Sequence, residues 1–435
     1  MKNILLIVLF LSLNLFSQEI NSITILGNEN TKDYIIKREI EQKIPGFLDS
    51  LILIQDKNRL YNLGIFSEVK INVINKSYTI NVIESFHYVF YPAIDVDVTK
   101  PLTRAFSIGI GLINNNFYGL KQNLIISTIF GTQNYYTLSF HNPWVFGDHV
   151  SIDASIYKRS TQSSIFLYQL NSTGVYIGSG FHIGKFNKFK FKAGYINQAM
   201  KKIPPDEERI ELTNNNDSLY QAYYFYHEYI HDKRDIYNDP TKGHFLRIIL
   251  EPHFGLNNSK NHYYNSFEFK KYFTLGKIFE PTVFQDPVLI SRTKCVFQFS
   301  KYNKTPLFLY NYLDGENDHV RGYSQTPTTN EKEVGKNYLS SNLLSQLQCD
   351  NFIFQSFQFQ ATLFERQIIQ DTELGMDYVF FTDFGLGAKK DTPFNIDNLL
   401  FGFGVGTRIF ISGVGVLSID IGFNQLGAAH IHLSD

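Results

Sequence analysis

From about Tyr88 to the end of the chain, apolar and polar positions alternate with a period of two. In "HVSIDASIYK", Val150, Ile152, Ala154 and Ile156 fall on one side, and Ser151, Asp153, Ser155 and Tyr157 on the other. "KFKFKA" sets Lys188, Lys190 and Lys192 against Phe189, Phe191 and Ala193, and "SFEFKKYF" sets Phe267 and Phe269 against Glu268 and Lys270. Residues two apart in a strand share a face, so each stretch predicts a strand with one apolar and one charged surface. Roughly sixteen such segments follow one another, the first centred near residue 94 and the last near residue 431, in keeping with the even strand number of membrane barrels. A soluble sandwich also alternates. It does not normally place aromatics at so many strand ends or run this long as one unit. The stretch 338–352, "YLSSNLLSQLQCDNF", reads either as a further strand or as part of a long loop.

Residues 19–86 follow a different rhythm. Ile20, Ile23 and Ile25 lead into a turn at Gly27-Asn28. Thr31 is placed to cap a helix through Tyr34, Ile35 and Ile40, ending near Pro45-Gly46. A second helix is predicted from Ser50 to Leu63, with Gly64 just past its end. Strands from Phe66 to Ile74 and from Tyr78 to Glu84 flank a turn at Asn75-Lys76-Ser77. The order is β-α-α-β-β. Ahead of it, residues 1–18 carry Lys2, an apolar run from Ile4 to Phe16 and a small residue near the cut, the pattern of a secretory signal peptide.

Composition narrows the choice. A net charge of −1 argues against a nucleic-acid binder. Aromatics make up 16% of the chain, almost all Tyr and Phe with a single Trp, more than a soluble core requires. No segment after the leader is apolar for long enough to cross a membrane as a helix, which leaves a soluble protein or a membrane β-barrel. Cys295 and Cys349 form no disulfide framework, and the sequence leaves their pairing open.

One motif points elsewhere. His227-Glu228-Tyr229-Ile230-His231 spells HExxH, which grips zinc when a helix brings both histidines onto one face. Here the surroundings, "LYQAYYFYHEYIH", favour a strand. Positions four apart in a strand lie roughly 13 Å from each other, and zinc needs ligands about 2 Å away. The motif therefore predicts no metal site. His430 and His432 read as two side chains on one face of a final strand, with a surface metal contact left open as the alternative. There is no G-x-S-x-G elbow and no evident carboxylate dyad, so no catalytic residue and no cofactor is predicted.

Several stretches resemble one family, the BamA/TamA superfamily of outer-membrane assembly and translocation proteins, also called the bacterial surface antigen family. Residues 19–86 are similar to one polypeptide-transport-associated (POTRA) domain, in element order and in "NRLYNLGIFSEVKI" with Arg59-Leu60, Gly64, Phe66 and Val69. "NNNFYGLKQNL", "LSFHNPWVFGDHVSIDASIY" and "DKRDIYNDPTKGHFLR" resemble the family's barrel segments in order. Val320-Arg321-Gly322-Tyr323 matches the tip of the family's sixth extracellular loop. Phe381-Thr382-Asp383-Phe384-Gly385 matches the inner-wall strand that the tip's Arg contacts. Elementary electrostatics agrees, since an Arg inside a barrel needs a carboxylate, and a bidentate Arg–Asp pair is strong and directional. Glu365 is a second candidate partner. Family members commonly finish on an aromatic residue, whereas this chain ends Ala428-Ala429-His430-Ile431-His432-Leu433-Ser434-Asp435.

The resemblance implies an α+β POTRA domain (19–86) in the periplasm, followed by a 16-stranded antiparallel transmembrane β-barrel (88–435) with a long inward-folded loop (302–338). It implies a non-enzymatic protein of the bacterial outer membrane that inserts or translocates unfolded outer-membrane or secreted proteins. Outer-membrane lipids and periplasmic accessory proteins are the further partners. Val320, Arg321, Gly322, Tyr323, Phe381, Asp383, Gly385 and Glu365 would form a structural latch. Two alternatives stand beside it: a two-partner secretion transporter, whose relatives carry two POTRA domains and a plug helix, and a passive pore.

Overall fold

A computed structural model describes residues 18–96, 106–131, 134–146, 149–162, 168–202, 219–276, 285–303, 305–324 and 347–434. The predicted signal peptide lies almost wholly outside them. The first unit contains β1 (Ser22–Leu26), α1 (Asp33–Lys37), α2 (Ser50–Asn62), β2 (Phe66–Ile74) and β3 (Ser77–Glu84). β3 lies in the middle of a three-stranded sheet, parallel to β1 and antiparallel to β2. Asn75 and Lys76 both take positive φ (49° and 59°), the backbone that a tight hairpin turn demands. Alternating Val69, Ile71, Ile80 and Val82 turn inward against Ile35, Ile36 and Leu60. Asp56 of α2 is fully buried among them and satisfied there. It accepts from the Glu41 and Gln42 amides (2.9 and 3.2 Å) and the Tyr78 hydroxyl (3.0 Å), and pairs with Arg59.

The first helix is shorter than its sequence suggests. α1 spans five residues, and its N-cap, Lys32, makes no side-chain cap. Thr31 instead meets Asn116 of the next unit, whose side-chain amide donates to its hydroxyl at 2.9 Å. A tertiary contact has taken over the predicted capping group, and the backbone leaves the helix at Arg38 rather than near Pro45.

Sixteen strands follow in one antiparallel sheet, each bonded to its chain neighbours. They are β4 (Tyr88–Val96), β5 (Phe106–Phe117), β6 (Gln122–Gly131), β7 (Asn134–Asn142), β8 (Ser151–Gln162), β9 (Tyr168–Ile183), β10 (Asn187–Lys202) and β11 (Leu219–Asp232). The second half comprises β12 (Gly243–Leu256), β13 (His262–Thr274), β14 (Gln285–Ser300), β15 (Asn351–Ile369), β16 (Thr372–Ala388), β17 (Leu400–Ile411), β18 (Gly415–Asn424) and β19 (Ala429–Ser434). Every segment read from the alternation falls on one of these strands. The ambiguous stretch 338–352 contributes no wall strand of its own among the described residues. Gln348-Cys349 pairs with Asn311-Tyr312 inside the loop, and β15 begins at Asn351.

The sheet curls into a barrel whose outer face carries exposed Ile126, Leu138, Ile177, Phe297, Phe380 and Phe403. Its inner face carries the charges, as an aqueous lumen requires. Arg292 donates to Glu268 at 2.7 Å, Lys190 lies 3.4 Å from Asp153, and Arg247 pairs with Glu228. The HExxH residues obey the same alternation. In β11, His227 packs its ring on Phe191 and His231 stacks on His244, while Glu228 faces the opposite side toward Arg247. The carboxylate and the two imidazoles therefore lie on opposite faces of the strand. Both cysteines are free, Cys295 in β14 and Cys349 in the loop core.

The first unit docks on the turns at one end of the barrel. Gly119 accepts from the Lys32 amide (3.1 Å), Asn62 accepts from the Tyr237 amide (2.9 Å), and the Ser67 and Ser412 hydroxyls meet at 2.9 Å. Tyr61 is bonded to Glu373 and receives Arg366 at 2.9 Å. The long loop between β14 and β15 leaves from the opposite end.

Candidate functional site

The segment from Thr305 to Ser324 enters the barrel through two single turns, Leu307–Leu309 and Gly315–Asn317. Phe308 lies 5.9 Å from Tyr220 on β11, and Arg321 reaches β16, so the segment crosses the lumen. Residues 325–338 of the predicted inward-folded loop lie outside the described residues. Val320 and Tyr323 are fully buried and pack with Leu313, Leu347, Cys349, Phe352 and Phe354, an apolar knot inside an otherwise polar interior. That knot fixes where the tip sits.

Arg321 occupies the tip. Its Nε and Nη2 donate to the two oxygens of Asp383 at 2.8 and 2.9 Å, and its backbone amide adds a third bond to the same carboxylate at 3.1 Å. Nη1 donates to Asp420 (3.0 Å) and Gln358 (3.2 Å), and Nη2 also donates to Ser356 (3.1 Å). All five guanidinium N–H groups are therefore used, which only the planar fork of Arg allows. The guanidinium also lies flat on Phe381, 3.6 Å from the ring centroid. Asp383 has no exposed surface. A buried carboxylate of this kind is tolerable only when fully paired. Arg408 completes the arrangement by donating to Asp420 at 2.6 and 3.0 Å. Two arginines and two aspartates then alternate and leave the cluster neutral.

Backbone geometry brings the tip this close. Gly322 has φ +108°, and a Cβ there would lie 2.5 Å from the Phe423 carbonyl oxygen. Its amide donates to His432 Nε2 on β19 (3.2 Å), and its carbonyl accepts from Asn424 on β18 (2.7 Å). Gly402 on β17 forms part of the floor, where any side chain would overlap the Arg321 carbonyl. Gly385 on β16 gives way to Val320 in the same manner.

Of the predicted residues, Val320, Arg321, Gly322, Tyr323, Phe381, Asp383 and Gly385 come together around the tip. Glu365 does not. Two register shifts, between Thr362 and Phe364 and between Phe364 and Gln367, break the alternation of β15. They leave the Glu365 side chain exposed and bonded to Gln285. The second carboxylate is Asp420. Sequence reasoning missed it, along with Asn424 and His432. The signal available was a lone acid at an inward position of β18, and inward histidines on β19.

Two family descriptions match the chain, the Omp85 superfamily domain over residues 116–429 and the surface antigen variable number repeat (POTRA) over residues 18–85. The outer membrane protein assembly factor BamA of Neisseria meningitidis serogroup B is 21% identical over 332 residues. That match takes in 70% of this chain and 39% of the relative, so the chain spans well under half of that protein's length. BamA from Haemophilus ducreyi lacking POTRA domains 1–3 superposes with a TM-score of 0.55 at 14% identity, covering 95% of this chain and 83% of that one. CdiB from Escherichia coli gives a TM-score of 0.53 at 14% identity, covering 96% and 75%. At these identities the two structures establish a shared fold.

Proposed function

Because the chain belongs to the Omp85 superfamily, we propose that it is a non-enzymatic outer-membrane machine that inserts or translocates polypeptides through its barrel. The N-terminal POTRA unit stands in the periplasm and receives unfolded outer-membrane or secreted proteins, with accessory proteins there as further partners. Among the described residues β1 and β2 are each paired on one side only, and an extended chain can add a strand at such an edge. It can do so most readily at β1, since the start of β2 docks on the barrel through Ser67.

One observation carries this reading. The bonded order of the barrel runs from β19 to β4, and no ladder joins these two strands among the described residues. β19 has six residues paired to β18. A wall lined by unpaired N–H and C=O groups in lipid is costly, and such an edge is a template for an incoming strand. The loop tip supports the edge from inside through His432 and Asn424.

A photo-crosslinking amino acid at Ile431, whose side chain is 70% exposed on β19, tests this. Nascent barrel proteins are expected as adducts, and depletion is expected to lower barrel-protein levels. Absence of adducts together with unchanged barrel and surface proteins would overturn the proposal. A single adduct species with normal barrel levels would identify dedicated secretion of one partner instead.

A further inference from the structure

The chain holds a single tryptophan, Trp144, in the turn between β7 and β8. It has two close ring contacts. The Arg38 guanidinium lies 4.0 Å from its ring centroid, and the His149 ring lies 4.3 Å away at a tilt of 44°. Beside them a cleft of about 660 Å³ opens between α1 and the ends of β6 and β7, within the range of about 300–1,000 Å³ typical of ligand sites. Tyr34, Lys37, Arg38, Leu120, Gln122 and Trp144 line it.

Three features define what fits there. The first is position. Gln122 begins β6, whose outward side chains include exposed Ile126 and Phe130, so the cleft sits on the outer wall at the rim nearest the POTRA unit. Tyr118 and Phe146, on the same two turns, are 74% and 73% exposed. Aromatics at this level match the girdle that barrels place at the membrane–water interface. The second is charge. Lys37 and Arg38 face the cleft, and among the described residues no carboxylate lines it. Asp33 and Glu39 pair with these cations at 3.1 and 3.4 Å but stand outside the lining. The third is amphipathy, because Leu120 and the Trp144 ring offer apolar surface next to the two cations.

We propose that this cleft binds the phosphate headgroup of an anionic glycerophospholipid in the leaflet facing the POTRA unit. The phosphate lies against Lys37 and Arg38, and the first carbons of the acyl chains lie along Leu120 and the outer wall. The site sits where a lipid can hold α1 against the barrel. It rests on the reading of the barrel as membrane-embedded.

Trp144 makes the test site-specific, since its emission has no other tryptophan to compete with it. The full chain in neutral detergent is titrated with dioctanoyl phosphatidylglycerol. Dioctanoylglycerol, which lacks phosphate, and glycerol 3-phosphate, which lacks acyl chains, are run in parallel. A saturable change in Trp144 emission is expected with the phospholipid alone, and Lys37→Gln and Arg38→Gln should each raise the half-saturating concentration about fivefold. Equal responses to dioctanoylglycerol, or identical curves for both variants, would overturn the site. Saturation by glycerol 3-phosphate at the same concentration would assign a soluble phosphate ligand and overturn the lipid. Lys37 is exposed, so its variant keeps the test valid should Arg38→Gln fail to fold. Flotation of the protein with vesicles tests the membrane reading separately. Flotation without headgroup discrimination sinks only the cleft.

Discussion

Arg321 is the residue on which the interior depends. Its removal strands Asp383 without surface exposure and leaves Asp420 with Arg408 alone. Breaking a buried pair by deleting one partner costs about 3–5 kcal/mol. Arg321→Ala is therefore expected to lower the thermal transition of the barrel markedly. Arg321→Lys should recover only part of the loss, because an ammonium cannot span two carboxylates as a fork does. Glu365→Gln should stay within about 0.5 kcal/mol of the parent. A double-mutant cycle of Arg321→Ala with Asp383→Asn measures the coupling directly, and a value near zero would remove the latch. The Arg321–Asp383 contact was legible from sequence because a charge inside a barrel must find its opposite, and the tip and strand motifs named both. Asp420 was not. Its approach depends on how β16, β17 and β18 curve around the tip, and no local pattern encodes that. Glu365 was misjudged because two bulges alter which side of β15 each residue occupies.

Among the elements, strand alternation and the hairpin of β2 and β3 followed from periodicity and turn chemistry, which are local. α1 did not, because the group expected to cap it serves the neighbouring unit. Beside the joint between the two units stands Glu84, the last residue of β3. Its carboxylate accepts from the Asn30 amide (3.1 Å), the Thr31 amide (2.6 Å) and the Asn30 side chain (2.9 Å), and meets His87 Nε2 at 3.0 Å. Burial alone would raise its pKa, but the hydrogen bonds from Thr31, His87 and Asn30 outweigh it and hold the group at about 2. A carboxylate depressed on folding adds stability that is complete above its ordinary value of about 4.5. That contribution disappears as pH falls from there through 2. Hydrogen-exchange protection of the Asn30 and Thr31 amides, corrected for intrinsic pH dependence, should decline over this window. Glu84→Gln should abolish the pH-dependent part. Undiminished protection at pH 2.5 in the parent would contradict the assignment.

At the scale of the whole molecule, the two ends of the sheet are held differently. β4 pairs with β5 along nine residues, and β19 pairs with β18 along six. The anchors of the tip fall on β15, β16, β18 and β19, through Ser356, Asp383, Asp420, Asn424 and His432. The shorter strand therefore has a second attachment through the lumen. Amide exchange under native conditions should show β19 protected beyond what six ladder residues provide, and His432→Ala should remove the excess while leaving β4 unchanged. Equal exchange of β19 in parent and variant would disprove the internal support.

The asymmetry has a mechanical corollary. If the cylinder parts as proposed, it would behave as a vice with one fixed jaw and one sliding jaw. The C-terminal side would stay clamped to the plug-like tip, and the travel would fall to the N-terminal side, whose first strand leads directly from the POTRA unit. A chain arriving on that unit would be carried along the moving side toward the stationary one.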